Sequence, residues 1–128
     1  MDYMKGALSL GSKVLGKTSP NPPVGALIIK NGNIIGRGTT QEPGSHHAEI
    51  VALNQAGNDA KDSTMYVTLE PCSHFGRTPP CASAIIKAGV SEVHIAMIDP
   101  NPIVNGSGMK ELESAGVNAI LHDATKEA

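Results

Sequence analysis

The stretch TMYVTLEPCSHFGRTPPCASAIIKAG, residues 64–89, changes character twice. Its first seven residues, TMYVTLE, are rich in β-branched and aromatic types and read as a strand. Its last eleven, PPCASAIIKAG, read as a helix that a proline can open and Gly89 ends. The segment that follows, SEVHIAMI (91–98), reads as a second strand. Two strands joined through a helix run parallel, so this stretch places the chain in the α/β class. Cys72 lies in the loop between its strand and its helix and Cys81 at the start of that helix, with eight residues between them.

Working outward, the same reading extends to both ends. Residues 3–16 set Tyr3, Met4, Ala7, Leu8, Leu10, Val14 and Leu15 on an apolar stripe of helical period. SPNPP (19–23) stops that helix, because proline cannot continue it and constrains the residue before it. VGALIIKNGNIIGRG (24–38) is two apolar runs around Asn31-Gly32, a pair suited to a turn that needs positive φ. HHAEIVALNQAG (46–57) is a helix ended by Gly57. GSGMKELESAG (106–116) is a short helix and VNAIL (117–121) a last strand. The order α β β α β α β α β predicts an antiparallel first pair and three parallel strands after it. Together they form a mixed five-stranded sheet with helices on both faces. No repeat or linker interrupts the 128 residues, which form one expected domain. The polar DATKEA at the end is expected to fray.

Composition narrows the function. An apolar fraction of 40% with 17% charged residues is that of a soluble globular chain. With no Trp, one Phe and two Tyr, the core rests on Val, Ile, Leu, Ala and Met. A net charge of −2 argues against nucleic acid as a partner, since phosphate recognition needs a basic face. Scarce aromatics leave few platforms for base stacking. No apolar run reaches the roughly 18 residues of a membrane span. The N-terminus carries Asp2 and interspersed lysines, which is not the pattern of a signal peptide. Cytoplasmic localisation is the expectation.

Three segments bring side chains that suit a metal: His47-Ala48-Glu49 at a helix start, Cys72 after a strand, and Cys81 at the next helix start. In such sheets, sites form at the carboxyl ends of parallel strands, beside helix N-termini. The partial positive charge there favours thiolate over thiol. Two thiolates and one imidazole make three ligands of a tetrahedral Zn²⁺ and leave a fourth position for water, as in catalytic zinc sites. Glu49, two residues beyond His47, is placed to exchange protons with that water. Each feature has an ordinary reading as well. The cysteines suit simple thiols, and Glu49 suits a first-turn acid drawn by the helix dipole. Together, H-x-E followed by P-C and a second cysteine before a helix match the signature of zinc nucleobase deaminases.

HAE (47–49) with TLEPCSHFGRTPPC (68–81) resembles the deaminase domains of bacterial riboflavin biosynthesis, the diaminohydroxyphosphoribosylaminopyrimidine deaminases of the cytidine deaminase-like superfamily. TSPNPPVGALIIKNG (18–32) and DPNP (99–102) share in the resemblance, which runs over nearly the whole chain. Other branches carry the tighter PCxxC, so the eight-residue spacer with GRTPP is the specific part. The resemblance implies a three-layer α/β/α fold and Zn²⁺ held by His47, Cys72 and Cys81, with Glu49 as the catalytic proton shuttle. It implies hydrolysis of 2,5-diamino-6-(5-phosphoribosylamino)pyrimidin-4(3H)-one to the corresponding aminouracil and ammonia. It also implies a substrate pocket lined by Asn21, Ala48, His74, Arg77 and Asn101, with Arg77 and His74 toward the phosphate. A homo-oligomer is expected from the same resemblance. The other readings are a deaminase of this fold acting on another base or nucleotide, and a zinc-stabilised binding domain without activity.

Two departures from the family pattern bear on these expectations. Where relatives carry a histidine after the second strand, this chain reads GRGTTQEPG, with Thr39 and Thr40 in that region. One polar substrate contact is expected to be missing there or replaced by a hydroxyl. The family deaminase is also usually followed by an NADPH-dependent reductase domain. This chain stops at Ala128 without a Rossmann glycine fingerprint, so no reductase activity is expected from these residues. His46, His94 and His122 are taken as non-ligands. Glycines 25, 32, 36, 38 and 44 are assigned to turns and backbone geometry.

Overall fold

A computed structural model of the chain describes residues 3–12, 24–40, 47–71, 81–97 and 106–122. The elements follow the expected order: α1 (Tyr3–Ser12), β1 (Gly25–Lys30), β2 (Asn33–Thr39), α2 (Ala48–Ala56), β3 (Thr64–Val67), α3 (Cys81–Ala88), β4 (Glu92–Ile95), α4 (Ser107–Ser114) and β5 (Asn118–Leu121). A short 3-10 turn, Gly57–Ala60, follows α2. The β1–β2 hairpin closes through Asn31 and Gly32, both at positive φ (53° and 79°), as the right-handed twist of a two-residue turn demands. A bulge between Ile28 and Ile29 of β1 and their partners Gly36 and Ile34 adds one residue to β2.

The strands stand in the order β2-β1-β3-β4-β5. β1 is antiparallel to both neighbours, while β3, β4 and β5 are parallel. Since β1 alone is reversed, β2 points the same way as β3, β4 and β5. Their carboxyl ends therefore share one edge, the edge on which sites form in α/β sheets. The pleat divides the side chains by period two. Ala26, Ile28, Met65, Val67, Val93 and Ile95 face α2, α3 and α4 in the larger core, joined by Ala52, Ile85 and Leu112. Leu27 and Ile29 pack with Met4 and Ala7 of α1 on the other face. Ile28, Met65, Ile85, Ile95 and Leu112 are fully buried, and each stabilises the fold by about 1.5–3 kcal/mol through the area it removes from water.

Three of the glycines assigned to turns and backbone geometry serve helix packing. A Cβ on Gly38 would lie 2.0 Å from the carbonyl oxygen of Ala48, and one on Gly36 2.4 Å from that of Ala52, so α2 rests directly on the backbone of β2. Gly25 meets α1 in the same way, 2.0 Å from the Ala7 oxygen. The amide of Arg37 in β2 donates to Gln55 Oε1 in α2 at 2.7 Å, fixing the same pair of elements. Gly44 lies outside the described residues.

On the α1 face, rings run across the sheet. Tyr66 stacks on His94 with centroids 4.4 Å apart and planes 9° apart. His94 Nε2 lies 2.8 Å from Glu92 Oε2, and its Nδ1 lies 2.6 Å from His122 Nε2. A carboxylate can only accept, so His94 donates from Nε2 to Glu92, and one hydrogen is shared between His94 Nδ1 and His122 Nε2. Asn118 Nδ2 donates to the other Glu92 oxygen at 3.0 Å. The two histidines thus tie β4 to β5 as structural residues. Among the described residues, no helix is long and apolar enough to cross a membrane.

Candidate metal centre

The two predicted ligands within the described residues meet. His47 is the N-cap of α2, in extended conformation (φ −72°, ψ 163°), and its carbonyl oxygen accepts the first helical bond, from Val51. Cys81 is the first residue of α3 and fully buried. His47 Nδ1 and Cys81 Sγ are 3.1 Å apart although 34 residues separate them in sequence. Two donors bound to one tetrahedral zinc at ordinary bond lengths stand roughly 3.5 Å apart, so a shift of a few tenths of an ångström admits the ion. Nitrogen and sulfur are the donor types zinc prefers, and both stand at helix N-termini, where the thiolate is favoured. The residues fit the metal. Among the described residues, no cluster of three or more His, Cys, Asp or Glu side chains is assembled, so this pair is their contribution.

Ala48 and Glu49 open α2 directly behind His47, and both are buried, Glu49 to 5% exposure. A carboxylate this far from solvent is uncommon unless it is paired or has a chemical role. The remaining expected site residues, Cys72, Asn21, His74, Arg77 and Asn101, lie outside the described residues, as does His46. Pro71, immediately before Cys72, is buried at the carboxyl end of β3.

The Thr40 side chain is engaged with the backbone. Its hydroxyl is buried, accepts the amide of Val24 at 2.7 Å and lies 3.4 Å from the Val24 carbonyl, while its own amide donates to that carbonyl at 3.0 Å. The side chain pins the end of β2 to the entrance of β1.

Glu70, the last residue of the expected strand, has a role that its motif alone does not indicate. It is 3% exposed and accepts two backbone bonds, from Gly106 (2.9 Å, to Oε1) and from Met109 (3.1 Å, to Oε2). These amides belong to the N-terminus of α4, whose N-cap, Gly106, has no side chain to offer. The signal available in the sequence was an acid directly before the Pro-Cys of the ligand loop, where burial is expensive without partners.

Comparison with known proteins gives the family. The cytidine and deoxycytidylate deaminase zinc-binding region matches residues 1–97. Riboflavin biosynthesis protein RibD of Aquifex aeolicus is 51% identical over 127 residues, which cover 99% of this chain and 36% of that protein. The diaminohydroxyphosphoribosylamino-pyrimidine deaminase of Buchnera aphidicola is 48% identical over 126 residues, covering 98% of this chain and 86% of that one. The solved structure of Acinetobacter baumannii RibD superposes with a TM-score of 0.91 at 48% identity, covering 94% of this chain and 34% of that one. The chain thus spans about a third of the length of the RibD relatives it matches.

Proposed function

The chain belongs to the cytidine and deoxycytidylate deaminase family, in its riboflavin-biosynthesis branch, and from that premise we propose that residues 1–128 form a single zinc-dependent deaminase domain. Its substrate is 2,5-diamino-6-(5-phosphoribosylamino)pyrimidin-4(3H)-one, and its products are the 5-amino-6-(5-phosphoribosylamino)uracil and ammonia. The observation that carries the reading is the approach of His47 Nδ1 to Cys81 Sγ at 3.1 Å, with Glu49 buried in the same first turn of α2. The substrate assignment rests on the Buchnera relative, whose length the chain nearly matches.

His47, Cys81 and Cys72 hold the metal, the last by its place in the motif. Bound zinc supplies Lewis acidity that makes water a usable nucleophile at neutral pH. Glu49 takes one proton of the attacking water and hands it to the ring nitrogen, then takes the proton of the newly added hydroxyl as the carbonyl forms and delivers it to the departing amine. One carboxylate serves because each step returns it to the state the next requires. The C–O bond forms first and the exocyclic C–N bond then breaks as the carbonyl forms, so one water is consumed for each ammonia released. Arg77 and His74 are assigned to the phosphate, where a guanidinium can fork onto two oxygens. Asn21, Asn101 and the backbone at Ala48 are assigned to the remainder of the substrate. A homo-oligomer, cytoplasmic location and association with a reductase module belong to the same proposal.

Ammonia release by zinc-loaded protein tests it, with the phosphoribosylated substrate, its dephosphorylated form, cytidine and guanine side by side. Turnover of the phosphorylated substrate alone is expected. Turnover of cytidine or guanine in its place overturns the substrate assignment, and zinc binding with no turnover of any overturns the activity.

A further inference from the structure

We propose that Glu70 is a positioning residue for the metal centre: it locks the chain entering the ligand loop to the N-terminus of α4 and the end of β4. The inference rests on the zinc-deaminase reading above and names how its cysteine loop is held.

Three contacts converge on this residue. Its carboxylate accepts the amides of Gly106 and Met109, one on each oxygen, at 2.9 and 3.1 Å. Its own amide donates to the carbonyl of Met97, just beyond β4, at 2.9 Å. The next residue is gripped sterically, because a Cβ on Gly108 would lie 1.9 Å from the Pro71 carbonyl oxygen and 3.1 Å from Glu70 Cγ. Thus α4 lies against the backbone of Glu70-Pro71 with no side chain between. Cys72 follows Pro71 directly, so the position from which the ligand loop departs is set by α4 and β4 together. Met97 and Gly106 are also the residues that flank 98–105, the segment carrying Asn101.

A buried carboxylate is costly unless its lone pairs are filled, and an exposed acid at this point would serve chain solubility equally well. A helix that begins at glycine also lacks a local cap, and a serine or aspartate at position 106 would supply one without burying any charge. The sequence instead spends a charged group two residues before the expected ligand. This arrangement couples the metal loop to α4, which neither a local cap nor a distant acid would do. Groups hydrogen-bonded directly to metal ligands typically change metal affinity or activity by about 10- to 100-fold when altered, and Glu70 acts on Cys72 through the chain at one further remove.

Glu70→Gln keeps the shape and turns one acceptor into a donor facing a backbone N–H. Glu70→Asp keeps the charge but shortens the reach by one methylene. Leu112→Val, on the buried face of α4 itself but not among the residues that hydrogen-bond Glu70, serves as a control for lost stability of the helix packing. Zinc affinity is measured by competition with a chromogenic chelator, and ammonia release gives kcat and KM, all below the melting temperature of each variant. The expected result is zinc binding weaker by roughly 10-fold or more in Glu70→Gln, an intermediate loss in Glu70→Asp, and a zinc affinity within about 2-fold of the parent in Leu112→Val. Variants at Glu70 that melt lower yet bind zinc no more weakly than Leu112→Val overturn the inference, leaving Glu70 a helix cap only. A parent protein that binds no zinc overturns the metal reading, and this inference with it. A parent that binds zinc without releasing ammonia overturns the activity alone, since the affinity comparison still decides the role of Glu70.

Discussion

His47 Nδ1 lies 3.1 Å from Cys81 Sγ, so the N-termini of α2 and α3 converge on one point at the carboxyl edge of the sheet. The convergence follows from the strand order. β2 and β3 run in the same direction on either side of β1, and the helices associated with their ends start on the same edge.

Cys81→Ser tests this convergence as a metal site. The hydroxyl is a poorer zinc donor than a thiolate and stays protonated at neutral pH. Zinc affinity is expected to fall more than about 100-fold, which exceeds the effect typical of outer-shell changes. Metal analysis after dialysis against a weak chelator reads the loss. Retention of one zinc per chain would remove Cys81 from the ligand set.

Glu49→Gln separates chemistry from metal binding. The amide preserves volume in a buried position but cannot take a proton from water. Turnover is expected to drop by about 10²- to 10⁴-fold, the usual worth of a positioned general base, while zinc content stays at that of the parent. Steady-state ammonia release with parallel metal analysis makes the comparison. A variant that loses its zinc as well would make Glu49 part of the coordination.

Gly38→Ala and Gly32→Ala distinguish two reasons for glycine. At Gly38 the new Cβ meets the Ala48 backbone oxygen at 2.0 Å and pushes α2 off β2. The cost is expected near 3 kcal/mol, the upper range for overpacking, and roughly a 10 °C fall in Tm. Because Ala48 adjoins His47, zinc affinity should fall too. At Gly32 nothing lies within 4 Å, and only the φ of +79° resists a side chain. About 1 kcal/mol is expected there, with zinc affinity unchanged. Thermal melts and chelator competition on both variants provide the contrast.

Thr40→Val removes the acceptor for the Val24 amide and keeps the side-chain volume. A buried donor left without a partner costs about 1–3 kcal/mol. A fall in Tm of several degrees is therefore expected from calorimetry. An unchanged Tm would mean that water reaches the Val24 amide.

Much of this molecule was legible in its sequence because the deciding signals are local. Positive φ at Asn31-Gly32 closes a hairpin within four residues. Gly57 and Gly89 end their helices within a turn, and the apolar periods distinguish strand from helix over six to ten residues. The HAE and P-C motifs, with their helix starts, pointed to His47, Glu49 and Cys81 as members of one site. The tertiary structure alone decided what depends on residues far apart. It placed β1 between β2 and β3, which aligned four strand ends on one edge. It showed that Gly25, Gly36 and Gly38 admit helix backbones where the sequence offered only conformational freedom as a reason. It turned Thr40 toward Val24, and it joined Glu70 to Gly106 and Met109 across more than thirty residues. The physical reason is one of range. Backbone dihedrals and capping are settled between neighbours, whereas the partner of a buried carboxylate is settled by which surfaces close on it once the sheet has formed.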